Sequence, residues 1–145
     1  RIIRIFNTYG PRLNENDGRV VSNLITQALK GNDLTIYGDG SQTRSFCFVS
    51  DLVQGIWAVI SKPKTRGEVF NLGNPQETTI QEFAHPIVPL CGPPNPKVIN
   101  KPLPTDDPIR RKPDITKVQQ YLGWEPRVSL KEGLRQTIEW YRGRI

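Results

Sequence analysis

Short apolar segments alternate with amphipathic helical segments along this chain, and this alternation restricts its fold class more than any other feature. Residues 1–6 (RIIRIF) and 69–72 form apolar runs that are too short for helices and favour strands. Between them, residues 19–30 repeat apolar side chains at helical spacing, and Gly31 follows where a left-handed helix end is expected. Strands that alternate with helices predict an α/β protein with a small or mixed sheet.

Glycine and proline divide the rest of the chain. Two β-rich runs, residues 34–37 and 44–49, flank the turn sequence GDG at 38–40, and we expect them to form a hairpin-like pair. Prolines are dense from residue 85 to residue 108, which predicts a loop there.

Four polar residues stand where helices should begin. Ser50, Asp114 and Ser129 each precede a helical pattern and are good N-caps. Thr79 and Ser129 are each followed three residues later by a glutamate, which is the spacing of a capping box. We therefore expect four further helices, of which the one after Thr79 should stop or kink within about two turns, at its prolines.

Composition excludes several classes of protein. The 145 residues contain no apolar run near the ~18 residues that a membrane span requires, so we expect no membrane partner. Cys47 and Cys91 lie far apart in sequence and His85 is the single histidine, which predicts neither a disulfide framework nor a metal site. A reducing compartment, the cytoplasm, is the expectation. The chain has no Met and opens on Arg1, so we expect it to be part of a longer protein.

The net charge of +6 indicates anionic partners without choosing among nucleic acid, acidic lipid and a phosphorylated small molecule. Nucleic-acid binding favours a clustered basic stripe with exposed aromatic residues. Here the 20 Lys and Arg residues are spread along the chain and the aromatic residues fall mostly at apolar-face positions, so we expect no nucleic-acid partner.

Conventional catalytic groups are weakly indicated. The sequence has no G-x-G-x-x-G, P-loop or G-x-S-x-G pattern. His85 and Cys47 are better explained by packing than by catalysis. The Asp106–Asp107 pair could supply a general base, although neighbouring carboxylates in a loop more often form a solvated turn or a helix cap.

The arginines are more informative. Arg44 lies inside a β-rich run, and Arg110 and Arg111 lie just before a capped helix. A guanidinium fits phosphate oxygens with two parallel hydrogen bonds, so a diphosphate could engage more than one of them. The alternative is that Arg44 pairs with Asp39 or Asp51 and that the residues around 111 form a solvated face.

Six motifs together carry a resemblance to a known family. They are RIFNTYGPR at 4–12, DGRVVSN at 17–23, YGDGSQTRSF at 37–46, NLGN at 71–74, DPxxRKPD at 107–114 and LGWEP at 122–126. With them the chain resembles the C-terminal half of the extended short-chain dehydrogenases/reductases (SDRs) that act on nucleotide sugars. The UDP-glucuronate decarboxylases, or UDP-xylose synthases, are the most similar group.

This resemblance implies the C-terminal part of an extended SDR fold. Residues 1–12 would include the last Rossmann-side strand, residues 13–145 would form a small substrate-binding α/β domain, and the N-terminal NAD-binding Rossmann half would be absent. The family's glycine-rich motif and Tyr-x-x-x-Lys pair match nothing here, so the chain alone should be inactive.

The full-length enzyme would be a homodimer that uses NAD to convert UDP-glucuronate to UDP-xylose through a 4-keto intermediate. The alternatives are a UDP-sugar 4-epimerase or a nucleotide-sugar 4,6-dehydratase of the same superfamily, and a non-enzymatic module that binds UDP-sugars.

The resemblance also implies a role for individual residues. Thr8 and Arg19 would touch NAD, and Arg111 would lie on the diphosphate or near the reacting carbon as the catalytic residue. Because the pKa of a guanidinium exceeds ~12, we interpret Arg111 as an electrostatic clamp for an enolate and not as a proton donor. Tyr37 would stack beside the uracil or pack in the core. The residues that would bind the UDP-sugar are Asn7, Val21, Ser22, Asn23, Tyr37, Gln42, Arg44 and Arg111.

Overall fold

The computed structural model describes residues 1–103 and 110–145, which form an α/β fold. The strands in this part of the chain are β1 Ile2–Ile5, β2 Thr8–Tyr9, β3 Leu34–Tyr37, β4 Thr43–Arg44, β5 Cys47–Phe48, β6 Val69–Leu72, β7 Thr78–Thr79, β8 Val98–Lys101 and β9 Arg110–Arg111. The α-helices are α1 Val20–Leu29, α2 Val49–Ser61, α3 Ile80–Ala84, α4 Ile87–Cys91, α5 Thr116–Leu122 and α6 Leu130–Arg142, with a short 3-10 helix at Pro63–Thr65.

Most strand pairs are parallel and join distant parts of the chain. Strand β1 pairs with β6, β2 with β5, and β3 with β8, all in parallel. A three-stranded sheet has the order β7-β4-β9, in which β4 is antiparallel to β7 and parallel to β9. The central strand β4 therefore brings the chain around residue 111 beside residues 43–44.

Two expectations about this region are wrong. The runs at 34–37 and 44–49 form no hairpin, because β3 pairs instead with β8 and the second run divides into β4, β5 and the start of α2. The predicted loop from residue 85 contains α4 and β8, while residues 104–108 of it lie outside the described part. Proline is tolerated in the first turn of a helix, where its missing N–H has no intrahelical partner, and Pro89 is the third residue of α4.

Helix α1 was predicted at 19–30 and is confirmed. It ends in a Schellman motif, in which the Gly31 N–H donates to the Ala28 carbonyl and the Asn32 N–H donates to the Gln27 carbonyl. Gly31 has φ +73°, a backbone conformation that other residues rarely adopt.

Thr79 and Ser129 are confirmed as N-caps, whereas Ser50 and Asp114 are not. The N-cap of α5 is Ile115, and Asp114 precedes it and accepts the Thr116 N–H. Thr79 and Glu82 form a complete capping box on α3, and helix α5 after Asp114 ends at left-handed Gly123, with φ +64°. Helix α2, however, begins at Val49, so Ser50 is its second residue and not its cap. Ser129 caps α6, but the Glu132 carboxylate binds other side chains of that helix, so the second box is only half formed.

Two apolar clusters hold these elements together. The larger one packs α1, α3, α4 and α6 around β3, and its most deeply buried side chains include Leu24, Ile25, Leu34, Phe83, Ile87 and Leu134. The smaller one joins α2, α5 and β6 through Leu52, Val59, Phe70, Leu72, Val118 and Trp124. None of the helices in the described residues combines the length and apolar character needed to cross a membrane.

Candidate functional site

A cavity of about 320 Å³ lies where the first turn of α1 meets the ends of β3, β4 and β9. Its volume is within the range of small-molecule pockets. All of the residues that the sequence suggested for binding or catalysis line this cavity except Ser22. They are Asn7, Thr8, Arg19, Val21, Asn23, Tyr37, Gln42, Arg44 and Arg111.

Two arginines lie side by side in this cavity. Arg44 on β4 is the register partner of Arg111 on β9, and residues in register on neighbouring strands share a face of the sheet. Their environments differ, because Arg44 is only 8% exposed whereas Arg111 is exposed. The two guanidinium groups therefore line the same cavity, one from the central strand β4 and the other from the adjacent strand β9.

Hydrogen bonds to backbone carbonyls orient the side chains of Gln42 and Arg44 in the cavity. The Nη1 group of Arg44 donates to the Thr43 carbonyl at 2.8 Å. The Gln42 amide donates to the Tyr37 carbonyl at 2.8 Å, which ties the approach to β4 to the end of β3. The Tyr37 side chain is 42% exposed, so it belongs to the cavity wall and not to the core.

Asp39 and Asp51, the two acids considered as alternative partners of Arg44, both bind other groups. The Asp39 carboxylate accepts hydrogen bonds from Ser41, and the Asp51 carboxylate accepts the backbone N–H groups of Arg127 and Val128. Asp51 thus holds the segment before α6, and Asp39 stabilises the turn after β3.

The first turn of α1 faces the cavity through Val20, Val21 and Asn23. No side chain caps this helix and no acidic residue lies in its first turn, as is typical of helix ends that receive an anion. Ser22 is fully buried, and its hydroxyl donates to the Asp17 carboxylate and to the Arg19 carbonyl. The Ser22 side chain therefore fixes the helix entry and does not line the cavity.

Asp17 organises the loop before α1. Its carboxylate also accepts the backbone N–H of Arg19 and pairs with the Arg19 Nε at 2.6 Å. Burial raises the pKa of Asp17, but the hydrogen bonds from Ser22 and Arg19 outweigh burial, and the pKa lies below its ordinary value. The carboxylate consequently stays ionised and holds Arg19 at the cavity.

Thr8 and Arg19 are the two residues that the resemblance placed on the NAD side, and both line the cavity. Thr8 follows β1 at its carboxyl end, which is the edge of a parallel sheet where ligands bind in α/β proteins. A hydroxyl and a guanidinium suit the ribose hydroxyls and phosphates of a dinucleotide. The Thr8 hydroxyl donates to the Phe6 carbonyl at 2.8 Å and can still accept from a ribose hydroxyl, and the exposed Arg19 guanidinium can donate to a phosphate, so both groups fit NAD.

The sequence profile of the NAD dependent epimerase/dehydratase family matches residues 1–73. The chain belongs to this family. The resemblance drawn from the motifs and the α/β fold class are thereby confirmed.

Relatives of this epimerase/dehydratase chain cover all of it. UDP-glucuronic acid decarboxylase 4 of Arabidopsis thaliana is 52% identical over 145 residues, which are 100% of this chain and 32% of that protein. The chain thus spans between about a third and two fifths of the length of the curated relatives it matches.

Two solved structures share its fold. UDP-glucuronic acid 4-epimerase from Bacillus cereus, in complex with UDP-glucuronic acid and NAD, has a TM-score of 0.89 at 30% identity and covers 98% of this chain, which is 45% of that chain. UDP-glucose 4-epimerase from Thermotoga maritima, with UDP-glucose, has a TM-score of 0.88 at 34% identity and covers 97% of this chain, which is 45% of that chain.

Other candidate groups in this family member lie away from the cavity. Cys47 is fully buried, and burial together with the nearby Asp51 raises the pKa of its thiol to about 12, so it remains a protonated apolar group. His85 is exposed at the end of α3. Asp106 and Asp107 lie outside the described residues. In the described part of the chain, no three His, Cys, Asp or Glu side chains are grouped as a metal site requires.

Sequence reasoning missed two kinds of site residue. The cavity wall includes apolar side chains, among them Leu13, Phe46 and Ile80, whose pattern resembles that of ordinary core residues. It also missed Ser45, which is 2% exposed and donates its hydroxyl to the Arg111 carbonyl at 2.9 Å. Only the pairing of β4 with β9 reveals that contact, and no sequence spacing encodes it.

Proposed function

We propose that this chain is the substrate-binding portion of an enzyme that decarboxylates UDP-glucuronate to UDP-xylose. The observation that supports it most is the register of Arg44 with Arg111 in one cavity beside the first turn of α1. The Arg44 guanidinium and the helix N-terminus make a suitable environment for a diphosphate, and Arg111 places a second guanidinium beside them for the sugar. The identity of 52% with a UDP-glucuronic acid decarboxylase across the whole chain favours UDP-glucuronate among the nucleotide sugars.

In this proposal the nucleotide lies along α1 and the ends of β3 and β4. Ser22 would contribute through its backbone in the first turn of α1, because its hydroxyl is bonded to Asp17 and Arg19. Tyr37, which is exposed, is free of the core and would stack on the uracil. The remaining assignments are Val21 and Asn23 on UDP, Gln42 and Arg44 on the ribose and phosphates, and Asn7 on the sugar diphosphate.

Thr8 and Arg19 would contact NAD at the edge of this cavity. When bound, NAD would supply both the oxidation at sugar C4, which makes the C5 carboxylate part of a β-keto acid, and the return of the hydride to C4 after carbon dioxide is lost. We propose that most of its binding comes from an N-terminal dinucleotide-binding portion, because the resemblance places only Thr8 and Arg19 on NAD and the sequence lacks the glycine-rich motif.

Arg111 would act when carbon dioxide leaves. Loss of carbon dioxide from a β-keto acid leaves an enolate, and a cation already in place stabilises that developing charge. Arg111 is exposed on β9, so its guanidinium can approach the sugar. It would hold the enolate while a water delivers the proton to C5, because a guanidinium is a poor acid near neutral pH.

The organisation of the whole protein belongs to the same proposal. Residues 1–12 would join the dinucleotide-binding side and residues 13–145 would form the substrate domain. Ile2 and Ile5 on β1 are 59% and 56% exposed, and parallel sheets are normally covered on both faces. We also propose a homodimer and a cytoplasmic location, where two free cysteines such as Cys47 and Cys91 remain reduced.

The test is to supply the full-length protein containing this chain with UDP-glucuronate and NAD and to follow the products. We expect carbon dioxide and UDP-xylose in equal amounts. Arg111→Ala should lower kcat by about 10²- to 10³-fold, which is the loss seen when one preorganised oxyanion donor is removed. Arg135→Ala, which removes an arginine from exposed ion pairs on α6, is the matched control and should leave kcat unchanged.

The products also separate the alternatives. UDP-galacturonate without carbon dioxide would identify a 4-epimerase, the activity named for the two solved structures. Binding of UDP without any turnover of UDP-glucuronate, UDP-glucose or dTDP-glucose would identify a binding module. Either result would refute the decarboxylase proposal.

A further inference from the structure

Strand β9 contains Arg111 and forms few backbone hydrogen bonds with its neighbour. It is only two residues long, Arg110–Arg111, and pairs with the equally short β4. Such a pair makes very few ladder hydrogen bonds, so side-chain contacts contribute a large share of what holds the backbone of Arg111 in place.

Ser45 makes one of these contacts. Its side chain is 2% exposed, and its hydroxyl donates to the Arg111 carbonyl at 2.9 Å. The bond therefore joins the residue after Arg44 to the main chain of the second cavity arginine. Because Ser45 is buried, removing its hydroxyl leaves no other side-chain atom of residue 45 to bind this carbonyl.

A second set of contacts, made by Glu77, links the same strand pair. Glu77 accepts a hydrogen bond from the Thr43 hydroxyl at 2.9 Å, and its other oxygen lies 3.8 Å from the Lys112 ammonium. Residues before and after the two arginines are thus linked across β4 and β9. Ser45 is more buried than Thr43 and Glu77, and its bond acts on the main chain of Arg111 itself.

We propose that Ser45 is a positioning residue for Arg111, which sets the place of its guanidinium in the cavity by holding its main chain against β4. The inference rests on the proposed function, because it assigns Ser45 a part in the decarboxylation that Arg111 assists. Electrostatic stabilisation depends on placement, and a shift near 1 Å can cost as much as ~10²-fold in rate. Loss of one neutral hydrogen bond should cost less, about three- to tenfold.

The first test is Ser45→Ala in the full-length protein. We expect kcat for UDP-xylose formation to fall about three- to tenfold while the Kd for UDP, measured by calorimetry, changes less than twofold. Ser61→Ala is the matched control, since Ser61 is an exposed serine at the end of α2 whose hydroxyl also donates to a carbonyl. It should leave both quantities unchanged. Should Ser45→Ala fail to fold, Ser45→Cys keeps most of the side-chain volume and donates only weakly.

A double-mutant cycle separates positioning from a general loss of structure. In an Arg111→Ala background, Ser45→Ala should have no further effect on kcat, because the guanidinium that it positions is absent. An equal fall in kcat in both backgrounds, or an equal kcat in wild type and Ser45→Ala, would overturn the inference while leaving the decarboxylase proposal intact. Absence of UDP-xylose from the wild-type reaction would instead refute the proposed function, and the inference with it.

Discussion

The substitution Arg44→Lys tests the diphosphate site most directly. Lysine keeps the positive charge, so any effect reports on the geometry of the guanidinium. In the structure, one guanidinium nitrogen donates to the Thr43 carbonyl at 2.8 Å and thereby orients the plane of the group. A lysine ammonium is a point donor that cannot hold this carbonyl and also present two parallel donors to a phosphate.

The expected magnitude follows from the number of bonds lost. Removing one hydrogen bond between charged groups costs about 1.5 to 3 kcal/mol. At 1.4 kcal/mol for each factor of ten, the affinity for UDP should fall about 10- to 100-fold. Because Arg44 is 8% exposed, solvent screens this site little, and the upper part of the range applies if both phosphate contacts are lost.

Calorimetry with three ligands provides the assay. UDP, UMP and uridine share the base and ribose but differ in phosphate number, so Arg44→Lys should weaken UDP binding most and leave uridine binding nearly unchanged. Arg135→Lys, a change of the same type on exposed α6, should alter none of the three. Equal losses for UDP and uridine, with unchanged thermal stability, would show that Arg44 does not contact the diphosphate.

Three further predictions concern stability. Asp51→Ala removes the acceptor of two backbone N–H groups at 3.0 and 2.9 Å, so the free energy of unfolding in urea should fall by about 2 to 4 kcal/mol, and an unchanged midpoint would contradict this. Gly133→Ala would place a Cβ against the Tyr9 hydroxyl oxygen, so we expect the free energy of unfolding to fall by about 1 to 3 kcal/mol, and Tyr9→Phe should partly restore it in thermal denaturation. The pKa of Asp17 is lowered from 3.8 on folding, so its contribution to stability is complete above that pH and is lost as the pH falls through the lower folded value. Acid titration of Asp17→Asn should therefore show a difference in unfolding free energy from wild type that shrinks below pH 3.8.

Local sequence signals predicted the helices and their ends better than they predicted the sheets. Helix α1 and the capping box at Thr79 depend on residues within a few positions of one another, and both are confirmed. Strand β8 lies in a proline-rich segment, and all four of its residues are exposed, so it lacks the alternation that marks a half-buried strand. Its partner β3 is more than 60 residues earlier, and parallel pairing across such a distance leaves no turn signal.

The candidate site shows the same division. Arg44 was singled out because a guanidinium within a β-rich run needs an anion or another acceptor, which is a local argument. That Arg111 is its register partner depends on β4 and β9, and this pairing could be expected only from the resemblance to a family. The bond from Ser45 to the Arg111 carbonyl could not be predicted at all, because a backbone acceptor has no signature in sequence.

The different burial of the two arginines supports a division between binding and chemistry. Arg44 lies on the central strand of its sheet and is nearly covered, so its guanidinium is held in position before a ligand arrives, and little entropy remains to be lost on binding. Arg111 lies on the neighbouring edge strand, where Ser45 holds its main chain, and its exposed side chain lines the cavity in which the sugar would react. We therefore expect substitutions of Arg44 to weaken the binding of every UDP-sugar to the same extent. Substitutions of Arg111 should lower kcat for UDP-glucuronate far more than they raise the Kd for UDP. Comparable effects on both quantities at both positions would show that the two groups form a single binding site with no separate catalytic member.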